Sequence, residues 1–467
     1  MQLKNFISKI PAPLAVLFLS AAASVVIPPS CKCKHTYTKA IYIQGSITYA
    51  SDTPQVSWNV LFKPGTDKAI REKIIEKIQD DVIQSYGDYS ETTKEEYIPK
   101  FFPVASCPCD SLLYNIGFSS VNGSGGSVSK PPPVKNVIPG SGNYVDLSQF
   151  SDNHAISEND SGKAEYNPKN IYSTVSVKNI GIDPAKKLAI IDSGIDSLLF
   201  SPNARKLIWV DNPSPTIFNF LPFSVQSDIK DVTKQRHGSA VTASAIKAMD
   251  NANAYPKIMI LKALDDNNSG TVFSVSCALS YAIQKKADVI NLSLGYYGQA
   301  DSILKHYLNL CATTNPAINV FVAAGNTQGH HNAADICDNI SNNNELVTGT
   351  RLFYPACFSG ELNNLTVVTQ LRSATEPCFY QNYSNQFVSL GILNNSNCCA
   401  MRVGYINNQK YYEGSSFATP VASGLKMSSL LQSAVTPAVF WNSLIKNNAI
   451  SPLRTVGGKY IEYSPVW

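Results

Sequence analysis

The chain has 467 residues, 44% of them hydrophobic and 15% charged, with a formal net charge of +4. That balance excludes an intrinsically disordered chain and leaves room for two domains. The mild charge and the lack of any Lys/Arg-rich run argue against nucleic acid as a partner.

Residues 1–23 read as a signal peptide. Lys4 and Lys9 give a basic start, Leu14 to Val26 is apolar, and Ala21-Ala22-Ala23 supplies small residues for cleavage. Pro11 and Pro13 interrupt the run and Pro28-Pro29 close it, which favours a removed signal over a membrane anchor. No later stretch is long and apolar enough to span a bilayer, so no transmembrane segment is expected after signal removal. The expected location is secreted or periplasmic. Eleven cysteines suit an exported, disulfide-forming chain, and the odd count leaves at least one unpaired in a monomer. The two C-x-C pairs, Cys31/Cys33 and Cys107/Cys109, are tighter than a zinc knuckle, and export favours disulfides over metal. Their connectivity stays open.

Residues 36–120 read as a small α+β domain. Val56, Trp58, Val60 and Phe62 alternate as a half-buried strand, and Pro64-Gly65 turns the chain. Ile70, Ile74, Ile75, Ile78 and Val82 then recur at helical spacing. Extended sequence follows at 97–104 and 111–118. Residues 121–170 form a Gly/Ser/Pro-rich linker and polar segment, exposed to proteolysis.

From about 171 to 467 the pattern is α/β. Buried strands are predicted at 188–191, 258–261, 289–294, 320–324 and 365–369, and helices at 239–249, 271–286 and 301–311. All-apolar strands alternating with helices predict a mostly parallel sheet with helices on both faces. Ligands in such sheets sit at the carboxyl ends of the strands.

The chemistry-bearing residues fall there. Asp192 ends the first strand; it either caps a turn or orients a histidine. His237 opens a helix rich in small residues and has the side chain suited to general base work near neutrality, although a lone histidine at such a place is usually structural or solvated. Asn326 follows Gly325 at another strand end, either as a turn residue or as a neutral donor to an oxyanion. Ser416, in Gly414-Ser415-Ser416-Phe417, stands before a helix predicted over 417–431. A helix N-terminus favours the oxyanion formed when a hydroxyl attacks a carbonyl; an ordinary Ser cap is the alternative.

Taken together, Asp192-Ser193-Gly194, His237-Gly238-Ser239, Ala323-Ala324-Gly325-Asn326 and Gly414 to Pro420 resemble, in order, the four signature blocks of the subtilases, the subtilisin-like serine peptidases. The resemblance covers roughly 171 to the C-terminus. It implies that Asp192 orients His237, His237 is the general base, Ser416 attacks and Asn326 donates to the oxyanion. It implies that Ser293, Leu294 and Gly295 pair with extended substrate backbone, and that Ala323, Ala324 and Gly325, with Tyr354-Pro355-Ala356, wall the specificity pocket. Proteins or peptides are the implied substrates. No cofactor is needed for the chemistry, structural calcium is compatible with the family, and no metal ligands are assigned. Residues 36–120 become a candidate inhibitory propeptide in cis, with a permanently attached binding domain as the alternative.

The departures are Ser415 where Thr is usual, Phe417 where Met is usual, and Ser389-Leu390-Gly391 where an Ala-Pro-Gly loop often stands. Cys398-Cys399 and a polar loop over 327–350, with His330-His331, are additions. An α/β lipase or esterase is disfavoured, because Ser416 does not lie in Gly-x-Ser-x-Gly and the order of the three residues differs. The expectation is an exported serine endopeptidase acting through an acyl-enzyme. The alternative is a non-catalytic peptide-binding protein of the same fold.

Overall fold

A computed structural model describes residues 40–47, 56–62, 64–76, 79–80, 83, 97–101, 103–122, 155–156, 175–178, 181–209, 218–222, 224–233, 236–297, 300–326, 346, 352–378, 381–394, 401–402, 411–412, 414–447, 455 and 458–463. The expected signal peptide, Cys31, Cys33, most of the linker, the His330-His331 loop and Cys398-Cys399 lie outside the described residues. Two compact units result: residues 1–104 with 112–144, and residues 105–111 with 145–467.

In the first unit Val56–Phe62 lies between Ala40–Ile47 and Asp110–Asn122, antiparallel to both, and Asp110–Asn122 also pairs with Tyr97–Phe101. Residues 68–76 are helical, and Ile75 joins Val60, Phe62 and Ile116 in a small core. On the other face of these strands the buried Asn115 amide donates to Asn59 Oδ1 at 2.8 Å.

The second unit is built on a parallel sheet. Its main strands are β1 (Gly181–Asp192), β2 (Ala254–Lys262), β3 (Val289–Leu292), β4 (Asn319–Ala323), β5 (Leu365–Ser373), β6 (Leu390–Asn394) and β7 (Lys459–Tyr463). The spatial order is β2-β1-β3-β4-β5-β6-β7, with every neighbouring pair parallel. The helices are α1 (His237–Ala248), α2 (Val272–Gln284), α3 (Ser302–Thr313), α4 (Ser415–Leu430) and α5 (Pro437–Leu444).

Strand alternation assigns the faces. Leu188 and Ile190 of β1, and Ile258 and Ile260 of β2, share one core with the apolar residues of α1 and α4. The intervening Ala189, Ile191, Met259 and Leu261 are equally buried and point to the opposite face. Helices α1 and α4 approach closely, because a Cβ at Gly424 would lie 2.5 Å from Ala245 O. The small residues Ala240, Ala243, Ala245 and Ala248 of α1 allow that approach.

The five predicted strands are present. Strands β6 and β7 were not foreseen. β6 begins at Leu390, in the stretch where the sequence suggested only a loop. Gly391 weakens its pattern, yet it leaves room for a neighbour: a Cβ there would lie 2.3 Å from Leu371 Cδ1 on β5, which would have to shift. β7 reads Lys-Tyr-Ile-Glu-Tyr, with only Ile461 buried, so its apolar signal is one residue.

A disulfide joins Cys107 to Cys277 on α2. Cys378 is also disulfide-bonded, while Cys109, Cys311 and Cys357 are free thiols. Burial pushes the Cys311 and Cys357 thiols up to about 12, so neither is a reactive thiolate at neutral pH. The Cys107–Cys277 bond has a covalent consequence: one cut anywhere between the two cysteines leaves two linked fragments. After a cut in the linker, the fragments are expected to co-migrate on a non-reducing gel and to separate with dithiothreitol. A peptide pair carrying Cys107 and Cys277 should appear in the unreduced digest; its absence contradicts the bond.

Candidate active site

Strand β1 ends at Asp192, which is 1% exposed. Its Oδ1 accepts from Ser193 N at 2.8 Å and lies 2.7 Å from Nδ1 of His237, the first residue of α1. Two glycines make this approach feasible. A Cβ at Gly238 would lie 2.4 Å from Gly194 O, and Gly194 has φ of +105° with its own Cβ position 2.2 Å from Ile229 O. The motifs Asp-Ser-Gly and His-Gly-Ser are therefore two halves of one close contact.

The start of α1 is held without an N-cap side chain. Arg236 precedes His237 in the left-handed region, with φ of 55°, and makes no cap hydrogen bond. The cap function falls to Asp231. Its Oδ2 accepts from Ser239 N at 2.9 Å and from Ser239 Oγ at 2.7 Å, and its Oδ1 accepts from Thr233 Oγ1 at 2.7 Å. Thr233 Oγ1 in turn accepts from His237 N at 3.1 Å. The Ser193 hydroxyl lies 3.3 Å from Oδ1 of both Asp192 and Asp231, and Gly238 N donates to it at 3.0 Å.

The charges set the imidazole's proton affinity. Burial by itself lowers the His237 pKa; the Asp192 charge, the hydrogen bond to Asp192 and the Asp231 charge raise it, with a net rise above the usual histidine value. Asp231 is itself raised, through burial first, against which its bonds from Thr233 and Ser239 act.

Helix α4 carries Ser416. Its N-cap is Gly414, with φ of 139°, so Ser416 is the second helical residue and not the cap. Pro420 lies inside α4 and has no N–H to give to the Ser416 carbonyl four residues back. The hydroxyl of Ser293 fills that place, donating to Ser416 O at 2.7 Å. Asn291 Nδ2 donates to Ser293 Oγ at 2.9 Å, and Ser423 Oγ to Asn291 Oδ1 at 3.2 Å. Ser416 Oγ donates to the Ser293 carbonyl at 3.2 Å. The neighbouring Phe417 ring lies 5.4 Å from the His237 ring, between centroids.

Asn326 follows β4. Its Oδ1 accepts from Ser415 N at 3.0 Å and Ser415 Oγ at 3.2 Å. The acceptor end of the amide is thus committed to α4, which fixes where the donor end points. Gly325 N donates to Ser415 Oγ at 3.0 Å.

The subtilase family model matches residues 184–451, more than half of the chain. The chain belongs to the subtilase family. It is 28% identical over 137 residues to the thermophilic serine proteinase of Bacillus sp. (strain AK1), a match covering 28% of this chain and 31% of that protein. The match thus spans about a third of that relative's length. Among solved structures, a cold-adapted subtilisin-like serine proteinase aligns at 18% identity and TM-score 0.41, covering 62% of this chain and 91% of the other. A lanthipeptide protease aligns at 15% identity and TM-score 0.43, covering 60% and 85%.

In this subtilase the structure bonds Asp192 to His237 at the start of α1, and Ser293, Gly325 and Asn326 to Ser415 and Ser416 at the start of α4; the two groups meet where the Phe417 ring packs beside His237. Leu294, Ala323 and Ala324 are buried beside them. Asn382 Nδ2 donates to Ala324 O at 2.8 Å, and Tyr297 OH donates to Asn326 O at 2.8 Å, so both brace the loop after β4. Sequence reasoning did not single out Ser193, Asp231, Thr233, Asn291, Tyr297 or Asn382. Ser193 lay within a motif already noted; the others are ordinary polar residues until the fold gathers them. Among the described residues, no group of three His, Cys, Asp or Glu is arranged to hold a metal ion.

Ser293→Ala removes the partner of the Ser416 carbonyl and is expected to cost about 1–3 kcal/mol of stability. Pro420→Ala restores an N–H to that carbonyl, so the loss should be smaller in the Pro420→Ala background. Denaturant unfolding of the four proteins in this double-mutant cycle measures the coupling. Strict additivity contradicts the account.

Proposed function

We propose that the chain is an exported serine endopeptidase that hydrolyses peptide bonds through an acyl-enzyme. The observation that carries this reading is the buried 2.7 Å contact between Asp192 and His237 beside the helix that presents Ser416. A buried acid–imidazole pair next to a serine at a helix start is the arrangement that nucleophilic acyl transfer requires.

In this reading the Ser416 hydroxyl turns from the Ser293 carbonyl to His237 Nε2. Nε2 takes the proton as Oγ bonds to the substrate carbonyl carbon. Asp192 keeps Nδ1–H and stabilises the imidazolium. The tetrahedral oxyanion accepts from Asn326 Nδ2 and the first turn of α4. Nε2 then protonates the leaving amine, the C–N bond breaks, and the acyl group stays on Ser416. Water repeats the sequence: it gives a proton to Nε2, attacks the ester and releases the acid, and Oγ recovers its proton. Every proton passes through groups of the chain itself.

The remaining parts follow from the same reading. Residues 36–120 act as an inhibitory propeptide in cis and, once cut, remain linked through Cys107–Cys277. The disulfides support an oxidising, secreted or periplasmic location. No helix among the described residues is long and apolar enough to cross a membrane.

A fluorophosphonate probe is expected to label the wild type and not Ser416→Ala. Absence of label on the mature wild type sinks the peptidase reading and favours a peptide-binding role. Asn326→Ala should lower kcat by about 10²–10³, the loss known for the equivalent donor in subtilisin, with a smaller change in KM.

The pH profile has a defined sign. Neutral imidazole is the active base, and its folded pKa is raised above 6.5. Activity should therefore fall as the pH drops through a midpoint above 6.5. A kcat/KM profile with its acid limb below that value contradicts the charge arrangement.

A further inference from the structure

Strands β3 and β4 are neighbours, and the chain leaving each passes beside the serine helix. Ser293 is bonded to Ser416 in both directions, and Gly325 N donates to Ser415. Gly295, two residues beyond Ser293, and Gly325 border a common space. A side chain on the acyl side of the scissile bond would enter between these segments, because its carbonyl carbon must meet Ser416 Oγ while its Cβ points away from the oxyanion.

That space is filled by the chain's own side chain. Phe353 is 2% exposed. A Cβ at Gly295 would lie 2.5 Å from Phe353 Cε1, and one at Gly325 would lie 2.7 Å from both its Cε2 and Cζ. The outer edge of the ring is therefore wedged between the two glycines, in contact with the backbone of both.

The ring is held from several sides. Phe353 pairs with Tyr297 across an antiparallel bridge, their rings edge to face at 5.0 Å. Phe353 N donates to Cys357 Sγ at 3.4 Å, and the adjoining Tyr354 ring packs at a tilt against Phe358, 4.6 Å between centroids. Rotating the ring out would break this packing and open a cavity lined by two glycines.

We propose that Phe353 plugs the primary specificity subsite, so that the enzyme cleaves after glycine, alanine or serine and rejects large side chains at that position. This deepens the peptidase reading and rests on it. The glycines at 295 and 325 then make room for an internal ring, where they would otherwise admit a large substrate side chain. Discrimination by a filled apolar pocket reaches about 10–200-fold for each missing or extra group of methylene size. An aromatic substrate residue exceeds the remaining space by several such groups.

The test is a set of fluorogenic peptides identical except for Gly, Ala, Ser, Leu or Phe before the scissile bond. The wild type should favour Ala over Phe by about 100-fold or more in kcat/KM. Phe353→Ala should narrow the Ala-to-Phe ratio at least tenfold, and Phe353→Leu should give an intermediate ratio that favours Leu over Phe. Fluorophosphonate labelling of each preparation reports the serine independently. A labelled wild type that cleaves after Phe or Leu as well as after Ala overturns the subsite assignment and leaves the peptidase reading intact, whether or not the variants fold. A labelled Phe353→Ala with an unchanged ratio also overturns it. A wild type that neither labels nor cleaves any peptide removes the peptidase reading and this proposal together.

Discussion

The contact between Asp192 and His237 is the constraint on which the rest of the second unit depends. A carboxylate that is 1% exposed is tolerated only when hydrogen bonds and a partner offset its charge. The chain meets that demand by bringing the first turn of α1 against the end of β1. Only glycine fits at 194 and 238, because any Cβ would strike the opposing backbone. The cost of a second buried carboxylate, Asp231, is offset by its bonds to Ser239 and Thr233 at the same helix start, where the helix field favours a negative charge.

The serine side is built by a different device. Helix α4 has proline at 420, which would leave the Ser416 carbonyl unpaired inside the protein. Ser293, from the end of β3, repairs that deficit and thereby ties the serine to the sheet. The same residue's carbonyl takes the Ser416 hydroxyl. Asn326, from the end of β4, is fixed by Ser415. Three adjacent strand ends thus hold two helices through these hydrogen bonds. Substitution of Thr by Ser at 415 costs little here, since the hydroxyl that bonds Gly325 N and Asn326 is retained.

Packing on the sheet explains why α1 and α4 meet at all. The Ala-rich face of α1 lies against Gly424 of α4, so the two backbones approach more closely than ordinary apolar side chains allow. That distance places the Phe417 ring beside the His237 ring. A larger residue at 424 would move the histidine-bearing helix without touching the site. Beyond the serine, Phe353 shows the same economy of space: glycines at 295 and 325 accept a ring from the chain itself.

The central strands, the helices and the residues Asp192, His237, Asn326 and Ser416 were legible in the sequence, because apolar runs and four ordered motifs are local signals. Strand β7 was not legible, since a short strand with a single buried residue carries almost no periodicity. Strand β6 was hidden by Gly391, whose reason is a leucine on another strand. Asp231, Thr233, Asn291 and Asn382 look like any polar loop or strand residue, and only the fold brings them within 3 Å or so of the groups they serve. The sequence by itself determined the family and the candidate residues at the strand ends and the helix start, because residue type and order suffice for that. The tertiary structure decided how proline and serine share one carbonyl and which ring fills the slot beside the serine. Those outcomes depend on contacts between residues far apart in the chain.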